Sequence, residues 1–112
     1  MFTGSDGDVA TAAVKALGIG PVVGNRTWGG VNVMDWNFSL ADGTGLILPR
    51  EAYWLTHQGW HAENHGIAPD IEVPCTPEDW LQNRDPHLEA AVHAALTRLT
   101  AQPPATPPRP AW

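Results

Sequence analysis

The sequence predicts an α/β domain with short strands and flanking helices, and three observations carry that expectation. Apolar residues recur at helical spacing in two stretches, each opened by capping residues. Short apolar runs bounded by Gly and Pro read as strands between them. The 112 residues, 43% of them hydrophobic, supply one core and no more.

The elements follow in order. Ser5, Asp6 and Asp8 offer N-cap and first-turn oxygens to a helix whose apolar positions are Ala10, Ala13, Val14 and Leu17. Gly18 suits the position that stops it. Pro21-Val22-Val23 starts a short buried strand ended by Gly24, and Val31, Val33 and Met34 form a second. Asp42-Gly43 marks a turn, so residues 36–48 read as a hairpin with Leu46-Ile47-Leu48 as the return arm. Ala52-Tyr53-Trp54-Leu55 reads as another strand, and 69–74, bracketed by Pro69 and Pro74, as a short edge strand. Thr76-Pro77-Glu78-Asp79 opens a helix, with Pro at the first helical position and two acids in the first turn. Asp85-Pro86 opens the last one, striped by Leu88, Val92, Ala95, Leu96 and Leu99. Residues 103–112 hold five prolines and read as a polyproline-like disordered tail, leaving 1–102 as the α/β unit. Only Met1, Phe2 and Thr3 precede the Gly4–Asp8 turn as a strand, so the sheet reads as one whose N-terminal part is missing.

Composition excludes several classes. Twelve acidic side chains against six scattered basic ones give a formal net charge of −6, which does not suit a nucleic-acid binder. No apolar run approaches the ~18 residues of a membrane span. The first residues lack the basic and apolar regions of a signal peptide. The single cysteine, Cys75, excludes an internal disulfide and a Cys-based zinc site. Six tryptophans in so short a chain suggest a well-filled core or a ligand groove.

Ser5 and Ser39 are the only serines. Ser5, flanked by Gly4 and Gly7 at a helix start, admits two readings. It is a plain N-cap, the simpler local reading. Or it is a nucleophile on a sharp turn, with the N–H groups of residues 6 and 7 free to bind an oxyanion. His61, Glu63 and His65 alternate near His57. On a strand they would share a face, and two imidazoles with a carboxylate can hold Zn²⁺ or Fe²⁺. Solvated histidines in a turn-rich stretch are the simpler reading, so no metal or other cofactor is expected. Glu63 can equally orient a catalytic group. The Gly24–Gly30 loop lacks a Gly-Lys-Ser/Thr ending and does not fit phosphate; it fits a wide turn or an edge for an extended peptide.

Four blocks stand out together: Gly4-Ser5-Asp6-Gly7-Asp8; the loop from Gly24 through Arg26-Thr27-Trp28-Gly29-Gly30-Val31; Gly59-Trp60 with Glu63-Asn64, Gly66 and Pro69-Asp70; and Arg84-Asp85-Pro86 with Leu88-Glu89. In that order, over about residues 4–96, they resemble the C-terminal catalytic core of the tricorn protease family. These serine peptidases are kin to the tail-specific processing proteases. The resemblance implies part of a crotonase/Clp-protease-like fold acting on peptides. It makes Ser5 the nucleophile and the Asp6 N–H one oxyanion donor, the other being a Gly of an earlier segment. It makes Glu63 the carboxylate that closes a Ser-His-Ser-Glu relay, and it puts Gly4, Gly29 and Gly30 along the substrate. Where the tail-specific branch carries a lysine after its turn, this chain has Gly30 after Thr27-Trp28-Gly29. Its one lysine, Lys15, lies in the first helix, so the base implied is a histidine. The family's Ser-His pair lies upstream of the matching residues. The resemblance therefore implies a fragment that is inactive alone, completed by an upstream segment or by a homo-oligomer of the full-length form, with a cytoplasmic location and neither nucleic acid nor membrane as partner. The alternative is a non-catalytic remnant that binds peptides or a partner chain, and its exposed apolar surface would make it sticky.

Overall fold

A computed structural model of the chain describes residues 3–109. Two compact units divide at Glu72/Val73. The first runs α1 (Asp6–Ala16), β1 (Val23–Gly24), β2 (Val33–Ser39), β3 (Gly45–Glu51) and β4 (Ile71–Glu72); the second holds α2 (Pro77–Leu81) and α3 (Pro86–Ala101).

Helix α1 ends as expected, with Gly18 at φ 62° just past the Leu17 cap. Its buried face differs from the expected one. Asp8 and Ala12 are buried with Val9 partly so, whereas Leu17 of the expected stripe is 74% exposed. The small core joins Ala12 to Val31, Ala62 and Ile67, with Leu55 packed against it. Strands β1 and β4 pair in parallel, Val23 with Ile71 and Gly24 with Glu72. Beside them the Asp70 carboxylate accepts from the Val22 N–H (2.8 Å) and from Lys15 Nζ (2.6 Å).

The hairpin is longer than expected. Strand β2 starts at Val33 and flows directly into it, so the anticipated separate strand at 31–34 is the hairpin's own first arm. Its start has a physical cause: the N–H groups of Val31 and Asn32 are bonded to the Glu63 carboxylate and are unavailable to a strand partner. The Asp42-Gly43 turn is confirmed, with Gly43 at φ 85° and Asp42 accepting from the Thr44 N–H. The expected strand at 52–55 is absent. Leu55 instead bridges Gly59 across a tight turn in which His57 and Gly59 both take positive φ. The 69–74 strand shrinks to Ile71–Glu72.

In the second unit both helix starts are as read. Thr76 and Asp79 form a reciprocal capping box, and Asp85 accepts from the Leu88 N–H at 2.9 Å. Arg84 pairs with Asp79 at 2.8 Å, and His87 Nε2 meets the Val73 carbonyl at 2.8 Å. The α3 stripe is exposed, Leu88 at 59% and Leu96 at 58%. Residues 103–109 form no helix or strand; Pro110, Ala111 and Trp112 of the expected tail, and Met1 and Phe2 of the expected first strand, lie outside the described residues.

The five described tryptophans do not fill a core. Trp28, Trp36, Trp54, Trp60 and Trp80 are all well exposed. Among the described residues no helix is long and apolar enough to cross a membrane.

Candidate active site

Ser5 immediately precedes the first residue of α1, and its backbone does not have the usual form of a capping residue. It sits at φ 53°, ψ −115°, and its side chain makes no capping hydrogen bond. An N-cap normally has extended backbone and an oxygen turned onto the N2 or N3 amide. Positive φ at a residue with a Cβ costs about 1–3 kcal/mol and persists only where the surroundings impose it. Here the hydroxyl is exposed and makes no bond to the helix it precedes. Of the two amides expected to be free, one is taken: the Gly7 N–H donates to the Gly4 carbonyl at 2.9 Å. The Asp6 N–H, as the first of the helix, has no intrahelical acceptor and lies at the positive end of the helix dipole.

A cleft of about 490 Å³ opens beside Ser5. Its walls include Trp28, Gly29 and Gly30 of the loop, Met34, Ile47 and Pro49 of the hairpin, and Glu63 and Asn64 of the turn after Trp60. A second recess of about 260 Å³ shares Ser5, Asn32 and Met34 with it and contains Asp6. Ser5, Gly29, Gly30 and Glu63 therefore line one cleft, and Asp6 lines the recess that shares Ser5 with it. Gly4 is not part of the cleft wall. A Cβ there would strike the Trp28 ring, as would one at Gly30, so these two glycines make room for the indole. Among the described residues no lysine or histidine lines the cleft.

The loop is held by backbone approach and by two carboxylates. A Cβ at Gly29 would collide with the amides of His65 and Gly66, and one at Gly66 (φ 66°) with the Thr27 carbonyl. The Asn64 N–H donates to the Gly29 carbonyl at 2.7 Å, and the buried Thr27 hydroxyl accepts from the Ile67 N–H at 2.7 Å. Glu63 Oε2 accepts from the N–H groups of Val31 (2.8 Å) and Asn32 (2.9 Å). That fixes the carboxyl and leaves Oε1 outside these two bonds.

Other sequence candidates fall elsewhere. Lys15 is spent on the Ala68 carbonyl (2.9 Å) and Asp70, which excludes it as a base at Ser5. That bond, with the Val22 N–H, holds the Asp70 carboxyl below its usual range. Residues 61–65 form turns and not a strand, so His61, Glu63 and His65 do not share a strand face. The rings of His61 and His65 meet edge to face at 5.7 Å, and among the described residues no three His, Cys, Asp or Glu side chains gather as a metal site. The residues that sequence reasoning missed are Asn32, Ile47 and Pro49 on the cleft and Asp8 behind it. The sequence marks Asp8 only as a first-turn acid of α1, because its long-range bonds leave no local pattern.

The sequence model of peptidase family S41 matches residues 1–73. The chain is 54% identical over 107 residues to Tricorn protease homolog 1 of Streptomyces coelicolor, covering 96% of this chain and 10% of that protein. It is 40% identical over 99 residues to a Sulfurisphaera tokodaii protein named as a tricorn-like protease C-terminal subunit, covering 88% of this chain and 12% of the relative. The crystal structure of the tricorn protease superposes with a TM-score of 0.80 at 39% identity, over 88% of this chain and 10% of that one. The chain thus spans about a tenth of the length of these relatives.

Proposed function

The chain belongs to peptidase family S41, a family of serine peptidases, and on that premise we propose that it carries the nucleophile side of a peptide-hydrolysing site. Ser5 Oγ attacks the scissile carbonyl carbon. The oxygen that becomes negative is stabilised by the Asp6 N–H at the head of α1. A histidine takes the Ser5 proton and returns it to the departing amine. Water then hydrolyses the acyl-enzyme and frees Ser5. Glu63, with Oε2 fastened by two loop amides, presents its remaining oxygen to the relay that orients that histidine through a second serine.

The observation that carries this reading is the backbone of Ser5: positive φ, no capping bond, and a place on the rim of a cleft that also holds Glu63. The family resemblance assigns the base and the second oxyanion donor to a segment upstream of the matching residues, and among the described residues lining the cleft there is no histidine or lysine. That segment belongs to the same longer polypeptide, a separate subunit or a second copy, and a relative named as a C-terminal subunit fits the separate arrangement. By itself the chain then binds peptides without hydrolysing them.

The test is a Ser5→Ala substitution in any preparation of this protein that hydrolyses peptides. The expected loss in kcat is about 10⁴-fold or more. An unchanged rate removes Ser5 from the role.

A further inference from the structure

Among the described residues Asp8 is the one acidic side chain that the fold buries completely, at 0% exposure. It sits three residues after Ser5, on the first turn of the same helix. An acid there ordinarily reaches back to the cap. This one crosses to the cleft loop, where Oδ1 accepts from the Gly29 N–H at 2.9 Å and Oδ2 from the Gly30 N–H at 3.3 Å. Glu63 takes the next two amides, Val31 and Asn32. Four consecutive N–H groups are thus bonded to two carboxylates from two different elements.

We infer that Asp8 is a positioning residue for the reaction, tying the strip of cleft formed by Gly29 and Gly30 to the helix that carries Ser5. The inference rests on the reading of Ser5 as nucleophile. The argument is one of geometry and charge. A glycine pair has the greatest backbone freedom of any sequence, yet here it forms a wall of the site. Burying a carboxylate is costly unless its oxygens are bonded to donors, and the donors found are these two amides. Charge-assisted bonds of this kind are about twice as strong as neutral ones. With both carboxylate oxygens engaged, Gly29 and Gly30 are tied to the helix that carries Ser5, so nucleophile and substrate wall stay in register. Placement errors near 1 Å cost about 100-fold in such reactions, which is the scale on which this clamp acts.

The test uses the isosteric variant Asp8→Asn, in which one carboxylate oxygen becomes an NH₂ group facing a backbone donor. Amide hydrogen exchange is read residue by residue on the full chain. The expected result is an acceleration of about tenfold or more at Gly29 and Gly30, with Val31 and Asn32 within about threefold of wild type, and a displaced Asp6 amide resonance. In a peptide-hydrolysing preparation, kcat per folded molecule falls by about 10- to 100-fold. A purely structural role lowers the melting temperature and leaves kcat per folded molecule unchanged, and that result overturns the proposal. So does unaltered exchange at Gly29 and Gly30. If Asp8→Asn does not fold, wild-type protein decides: a through-hydrogen-bond coupling between the Gly29 nitrogen and the Asp8 carboxyl carbon supports the clamp, and its absence overturns it. Hydrolysis retained in Ser5→Ala with the exchange pattern intact leaves the clamp standing and overturns only the nucleophile assignment.

Discussion

The cleft loop and the β2–β3 hairpin are both built from residues near the middle of the chain, and they are held in opposite ways. The loop, Thr27–Asn32, is locked from behind. Gly29 lies against the backbone of residues 62–66 and Gly30 against the Trp28 ring, the amides of residues 29–32 end on Asp8 and Glu63, and Thr27 and Val31 are buried. The hairpin has an antiparallel ladder, with register shifts between Val33 and Met34 and between Asp35 and Phe38, but little cover. Every residue of β3 is exposed, and Met34, Trp36, Phe38, Leu46 and Ile47 are 38–67% exposed. Site geometry therefore depends on polar and backbone contacts, whereas the hairpin contributes apolar surface to a cleft wall and displays the rest. An apolar hairpin open on both faces is a surface that associates.

That contrast is broken most severely at Gly66. Gly66→Ala places a methyl group against the Thr27 carbonyl at a φ that disfavours any side chain. Strain and overpacking together cost about 3 kcal/mol or more, enough to abolish cooperative urea unfolding of a unit with so small a core. Thr27→Val comes next. It keeps the shape but orphans the buried Ile67 N–H, and the midpoint of urea unfolding should fall by the equivalent of about 1–3 kcal/mol. The hairpin should respond in the other way. Replacing Trp36 and Phe38 together by Ser changes folding stability by about 0.5 kcal/mol per site at most, while sedimentation velocity shows less self-association. Unchanged association would mean the hairpin is not the sticky face.

The smallest effect is electrostatic and lies away from both regions. Lys15 first, and then the Val22 N–H, hold the Asp70 carboxyl below its ordinary value of 3.8. A depressed carboxylate adds stability that is complete above its unfolded pKa and is lost as pH falls through its folded one. The contribution of the pair should therefore persist at neutral pH and fade below about pH 4. In Asp70→Asn that part of the acid dependence disappears. Because the pair is open to solvent, the difference should be small and should shrink with salt.

What could be read from the sequence was local. The caps at Thr76 and Asp85, the stop at Gly18 and the Asp42-Gly43 turn each depend on residues within a few positions, and each formed as expected. The resemblance named the right family, and the structure brings Ser5, Glu63, Gly29 and Gly30 to one cleft. What could not be read was long-range. Val31 is kept out of β2 because Glu63, 32 positions away, holds its amide. Asp8 was legible as a first-turn acid of α1, but not as the partner of amides 21 and 22 residues on. The apolar stripe expected on α1 lost to a face chosen by Asp8 and Ala12, since a helix packs where its neighbours are and not where its own moment is largest. The tryptophans misled for a related reason: composition counts aromatic area without saying what covers it.

The central claim is that Ser5 is the nucleophile, and the chain makes it unusually easy to test, because its only other serine is Ser39 on the exposed hairpin. A peptide-hydrolysing preparation should be inactivated with a fluorophosphonate and the modified residue located by mass spectrometry. The account predicts one phosphonylated site in this chain, Ser5, in proportion to the activity lost. Complete loss of activity with Ser5 unmodified would contradict it.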